Sequence, residues 1–157
     1  MRSFKSFTKQ QGFTIVELLI VIVVIGILAT LVIVTFSGIQ QRARDTQRQT
    51  DINAIQGHLE AYYASTGTYP TLAMLNSTAF RAKYMKGLPA DALVDPGGTT
   101  IAATLATNGY QYLPEAAGAA CPAETGTSPD FISTCDAYTL TADLEASGAA
   151  NYVKTSN

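Results

Sequence analysis

From Leu18 to Phe36 the chain reads LLIVIVVIGILATLVIVTF, nineteen residues with Thr30 and Thr35 as the polar members. No other feature restricts the fold as strongly. A helix of that length spans about 28 Å, close to the hydrocarbon thickness of a bilayer. A strand reading of the many Val and Ile residues fails, because strands rarely exceed about ten residues. Gly26 weakens the helix in water, yet glycine is common in membrane helices. One carboxylate, Glu17, stands directly before the run, and a leader with Arg2, Lys5 and Lys9 precedes it. The positive-inside rule holds such a leader in the cytoplasm. Arg42, Arg44 and Arg48 follow on the other side, so charge bias alone does not decide orientation.

Two ordinary readings of such a run exist. A cleaved secretory signal needs an apolar core of roughly 7–15 residues and a small-residue cleavage site. This core is longer, and Thr35-Phe36-Ser37 matches such a site poorly. A plain signal anchor fits the length but leaves Glu17 unexplained. A carboxylate in a membrane helix costs about 2.5–3.5 kcal/mol at the centre and less near an end, so it usually has a partner. A plain anchor supplies none.

The residues Gly12, Phe13 and Thr14-Ile15-Val16-Glu17, followed by the apolar helix, resemble the class III signal peptide of type IV prepilins, type II secretion pseudopilins and competence pseudopilins. The resemblance implies a mechanism. A membrane prepilin peptidase would cut after Gly12 on the cytoplasmic side and N-methylate Phe13. Glu17 would pair with the amine of a neighbouring subunit, and the apolar helices would pack as a filament core. Two opposite charges buried together cost far less than either alone. The family often carries a proline near the end of the run, where Val34 stands here; Ser37-Gly38 is the nearest alternative flexible point.

The domain reading follows: residues 1–12 a cleaved leader, 13–38 a transmembrane and filament-core helix, 39–66 an amphipathic continuation, and 67–157 a globular head. Removing Arg2, Lys5 and Lys9 with the leader takes the net charge from −2 to −5. A basic nucleic-acid footprint is therefore absent from the chain as a whole. The head lies outside the membrane, so Cys121 and Cys135 read as a disulfide. Closing such a loop contributes about 3 kcal/mol in the chain-entropy picture. The resemblance agrees, since many pilins close a C-terminal loop this way.

Ile52, Ile55, Leu59 and Tyr62 recur at spacings of three and four, one helical face. Arg42, Arg44, Asp45, Arg48, Asp51 and Glu60 are assigned to the polar face. Ser65-Thr66-Gly67 stops the helix, with Pro70 just beyond. From Phe13 to Thr66 the helix would run about 80 Å. The aromatic pair Tyr62-Tyr63 and the Gly67-x-Tyr69-Pro70 turn resemble a second feature of pilins and pseudopilins. One short helix is predicted over Leu72–Lys86. Strands are predicted at Tyr110–Leu113, Tyr138–Glu145 and Asn151–Lys154. Ala116 to Pro129 reads as a loop tied back by the cysteines. The expected fold is α+β and pilin-like: a long N-terminal helix packed on a small antiparallel sheet, with a C-terminal disulfide loop.

Other candidate sites weigh less. Asp91 and Asp95 flank a turn and could bind calcium, as the heads of some secretion pseudopilins do. They lack a calcium-loop pattern of alternating carboxylates with a central Gly, and solvated turn residues are the simpler reading. Arg81, Lys83 and Lys86 cluster as competence pilins' DNA patches do, although a solvated helix face explains them and the mature chain is acidic. His58 reads as a helix-face residue, with no nucleophile identifiable beside it. The tyrosines show no continuous aromatic stripe and suit packing on a sheet.

The expectation is a structural subunit of a type IV pilus-like filament, with no catalytic residues and no cofactor. Its partners would be other subunits in a helical homo-polymer or mixed pilus, the prepilin peptidase, and an assembly platform with its ATPase. It would sit as a single-pass membrane protein with an extracytoplasmic head before entering an extracellular filament. A type II secretion or competence pseudopilin is the alternative. A membrane-anchored binding module is the second.

Overall fold

The computed structural model describes residues 12–121, 131, 133–146 and 149–156. The basic leader and most of the interval between the cysteines lie outside the described residues. Two compact units are present, divided between Ile39 and Gln40.

Helix α1 spans Ile15–Thr66. It stays helical through Ser37-Gly38, so the flexible point expected there does not interrupt it. In the first unit its described apolar side chains are solvent-facing, with Leu18 and Ile33 at 61% and 68% exposure. An 18-residue window of mean hydropathy 3.3 has no buried share, which is long and apolar enough to cross a membrane.

In the second unit, Ile52, Ile55 and Leu59 are fully buried and Tyr62 nearly so. The predicted three–four stripe is therefore the core face of α1. Gly67 ends the helix with φ +76°, and its N–H donates to Tyr63 O at 2.7 Å. Only a residue tolerant of the left-handed region closes a helix this way without strain.

The helix predicted over Leu72–Lys86 is two helices, α2 (Leu72–Asn76) and α3 (Thr78–Tyr84). Ser77 separates them. Its extended backbone (φ −73°, ψ 123°) ends α2, while its Oγ accepts from Phe80 N at 3.4 Å and caps α3. A serine whose side chain satisfies a backbone donor at a helix start competes with helix continuation.

The head sheet has four antiparallel strands in the order β2-β1-β3-β4: β1 Tyr110–Ala116, β2 Ala119–Ala120, β3 Ala137–Ala142 and β4 Tyr152–Thr155. Tyr110 pairs with Ala142, Tyr112 with Leu140 and Pro114 with Tyr138. Alternation puts Tyr110, Tyr112, Tyr138 and Leu140 on one face, where all four are buried in the core with the α1 stripe.

Two expectations for the sheet change. The predicted loop beginning at Ala116 holds a tight hairpin, because Ala117 (φ 51°) and Gly118 (φ 78°) both adopt left-handed backbone. Ala117 tolerates this strained region with its N–H held by the Asp136 carboxylate at 3.1 Å. β3 also ends at Ala142, short of the predicted Glu145. Asp143 there turns to accept from Asn108 N at 2.7 Å, and Glu145 is drawn to α1.

Cys121 and Cys135 form a disulfide with a Cα–Cα distance of 5.7 Å. Cys135 is fully buried, and its carbonyl accepts from Tyr69 N at 2.8 Å. Cys135 is thus fastened to the turn that follows α1.

Candidate assembly site

Thr14 precedes the first turn of α1 and Glu17 closes it. Thr14 Oγ1 donates to Glu17 Oε2 at 2.7 Å, Thr14 N donates to the same oxygen at 2.8 Å, and Glu17 N donates to Thr14 Oγ1 at 3.2 Å. This reciprocal set is a capping box. It satisfies backbone donors that have no intrahelical partner and places a carboxylate at the positive end of the helix dipole. Gly12 and Phe13 precede it in exposed, non-helical backbone, with Phe13 at 86% exposure. Phe13 and Glu17, four residues apart, are both exposed.

The weaker candidates separate. Asp91 is exposed, but Asp95 is 3% exposed and is no solvated turn residue. Its Oδ1 accepts from Thr99 N at 2.5 Å and its Oδ2 from Gly97 N at 2.9 Å and Arg48 Nη2 at 3.3 Å. Among the described residues, no group of three or more His, Cys, Asp or Glu could hold a metal ion. Both Asp95 oxygens are thus engaged by N–H donors, while Asp91 faces solvent. The basic cluster does not converge either: Arg81 Nη1 donates to Leu75 O at 2.8 Å, and Lys83 Nζ lies 4.8 Å over the Tyr84 ring. His58 is half-buried on α1, beside the core-facing Leu59.

Sequence reasoning missed an ionic cluster at the start of the head. Asp45 and Arg48, assigned to the polar face, are buried at 6% and 0% exposure. Arg48 Nη1 donates to Asp45 Oδ1 at 2.9 Å, and Nη2 donates to Glu145 Oε1 at 2.6 Å. Arg44 adds a two-toothed pair with Glu145, its Nε donating to Oε1 at 2.9 Å and its Nη2 to Oε2. Hydrogen bonds from Arg44, reinforced by Arg48, pull the Glu145 carboxyl from the ordinary 4.5 down to about 2, against the opposing effect of burial. A signal was present: residues 45, 48, 52, 55, 59 and 62 continue one three–four stripe, so the core face begins with an Asp and an Arg.

A long apolar helix with a capped carboxylate at its start, a small antiparallel sheet and a C-terminal disulfide define a type IV pilin-like protein. The prokaryotic N-terminal methylation motif family matches residues 7–33. The type II secretion system core protein G of Vibrio cholerae serotype O1 is 31% identical over 92% of this chain and 88% of that protein. The protein of the same name from Pseudomonas aeruginosa is 30% identical over 91% of both chains. That of Escherichia coli strain K12 is 34% identical over 57% of this chain and 74% of its own length. No solved structure matches. The chain belongs to the type II secretion system core protein G family, pseudopilins of the pilin-like class. It is a prepilin-type structural subunit and not an enzyme.

Proposed function

We propose that this chain is a pseudopilin of a type II secretion system, cut after Gly12, N-methylated on Phe13 and assembled through α1 into a short filament whose subunits are other copies of itself. The observation that carries this reading over a surface pilus is the match to secretion core proteins across nine-tenths of the chain. The Cys121–Cys135 disulfide is the one feature that favours a pilus, because it closes the head as many pilins do.

In this reading α1 anchors the precursor with its head on the far side of the membrane. The Thr14–Glu17 box starts the helix at the membrane boundary, leaving the Gly12–Phe13 bond outside it for the peptidase. After the cut, the new Phe13 amine and Glu17 of an adjacent subunit neutralise one another as the apolar helices leave the bilayer. That exchange replaces lipid contacts with helix contacts and gives Glu17 a charged partner.

Deleting the gene tests the reading. Loss of exoprotein secretion with surface piliation unchanged is expected. Secretion intact and surface filaments lost would assign the chain to a pilus instead. The mass of the mature chain, lacking residues 1–12 and carrying one added methyl group, checks the processing step.

A further inference from the structure

We propose that the Arg48 guanidinium serves the head as a built-in structural cation, in the role a bound divalent ion plays elsewhere, locking the Asp95 turn and the 143–146 segment onto α1. Three carboxylates from three separate parts of the chain converge on it: Asp45 on α1, Asp95 on the turn before β1, and Glu145 after β3. Arg48 itself is fully buried.

A calcium ion takes six to eight oxygen ligands at about 2.3–2.6 Å. Here the carboxylate oxygens are spent on N–H donors. Asp45 Oδ1 and Oδ2 accept from Glu145 N and Ala146 N at 2.8 and 2.9 Å, and Oδ1 also takes Arg48 Nη1. Both Asp95 oxygens hold backbone N–H groups of their own turn. Both Glu145 oxygens accept from Arg44, and Oε1 also takes Arg48. The Arg44 and Arg48 contacts among them are directional bonds from planar forks, which a spherical ion does not reproduce.

The choice of arginine over lysine follows from the same geometry. Nη1 and Nη2 serve different acceptors, Asp45 on one side and Asp95 with Glu145 on the other. A single ammonium is a point charge on a flexible stem and does not span both. A guanidinium is also charged at every physiological pH and cannot be chelated away. The Asp95 turn and the 143–146 segment are therefore held to α1 without a divalent ion between them. This inference does not depend on whether the filament serves secretion or a pilus.

Near-UV circular dichroism of the full-length chain in detergent micelles, read through the buried tyrosines, tests it. The wild-type Tm is expected to be the same in EGTA and in calcium chloride. R48A and R48K are both expected to lower it by about 10 °C or more, because breaking a buried ion pair is strongly destabilising and the domain is small. A wild-type Tm that rises with calcium or falls on chelation would overturn the proposal. So would an R48K chain as stable as wild type, since charge without the fork would then suffice. If R48A does not fold, the wild-type and R48K measurements decide.

Discussion

The Tyr138 hydroxyl donates to Glu60 Oε1 at 2.7 Å, tying the middle of the sheet to α1 across 78 residues of sequence. Glu60 Oε2 accepts the Tyr69 hydroxyl at 3.0 Å, so one carboxylate holds both the sheet and the turn after the helix. Burial, and then the bond to Glu60, pushes the Tyr69 hydroxyl from 10 up to about 12, and Tyr138 is raised for the same reasons. A raised pKa in the folded state stabilises fully below the unfolded value near 10 and is lost as pH climbs through about 12. Tyrosinate absorbance should therefore show these hydroxyls ionising late, together with unfolding. Glu60→Ala should cost about 1–3 kcal/mol by leaving buried hydroxyls without an acceptor. It should also move the Tyr69 titration down toward its ordinary value.

The opposite edge of the pH range belongs to Glu145. Its folded pKa of about 2 lies below the ordinary 4.5, so its contribution is complete above 4.5 and disappears as pH falls through 2. Thermal unfolding of the wild-type head should show Tm falling across that interval. Glu145→Gln should be less stable at neutral pH and show a flatter profile below pH 4.5, because the titrating group is gone. An unchanged acid slope in that variant would assign the effect to other carboxylates.

Replacing both Cys121 and Cys135 with alanine should destabilise the head by about 3 kcal/mol, the loop-closure contribution. Because the Cys135 carbonyl receives Tyr69 N, loosening should reach the turn after α1 as well as the loop. Amide exchange at Tyr69 reads this directly: its protection should drop in the double variant more than that of Ile52.

Gly57 lies within α1 on its exposed side, and a methyl group added there meets nothing within 4 Å. Gly57→Ala should raise head stability by about 0.5–1 kcal/mol, since glycine in a helix interior loses more backbone entropy than alanine. Denaturant unfolding should show a higher midpoint with an unchanged slope.

Glu17→Ala removes the capping carboxylate and the proposed partner of the Phe13 amine. The variant should be cut after Gly12 as efficiently as wild type, as judged by gel mobility of the mature chain. It should be recovered in sheared filaments at a small fraction of the wild-type amount. Normal filament yield would sink the proposed charge pairing.

Much of the head was readable because its signals are local. The core stripe of Ile52, Ile55, Leu59 and Tyr62 is a periodicity within one helix, and Gly67 and Pro70 mark its end chemically. Boundaries were less readable where a side chain chose between two backbone partners. Ser77 could have stayed inside one helix but instead caps the next. Ala117 gives no turn signal of its own, and its left-handed backbone is held by Asp136 from a distant segment. The Arg48 cluster was the largest miss, because charged residues on a helix are ordinarily solvated. Its position on the apolar stripe was visible, but the carboxylates that make burial tolerable lie 47 and 97 residues away.

The sequence by itself determined that α1 begins with a carboxylate ahead of a membrane-length apolar run, because length, hydropathy and the Thr14–Glu17 spacing are properties of one continuous segment. It likewise carried the composition of the core face and the presence of one cysteine pair. The tertiary structure decided which charged residues are buried and by what they are neutralised. Burial of a charge is a property of its neighbours: Asp45 and Arg48 already adjoin on α1, but Asp95 and Glu145 reach them only once the rest of the head folds onto the helix.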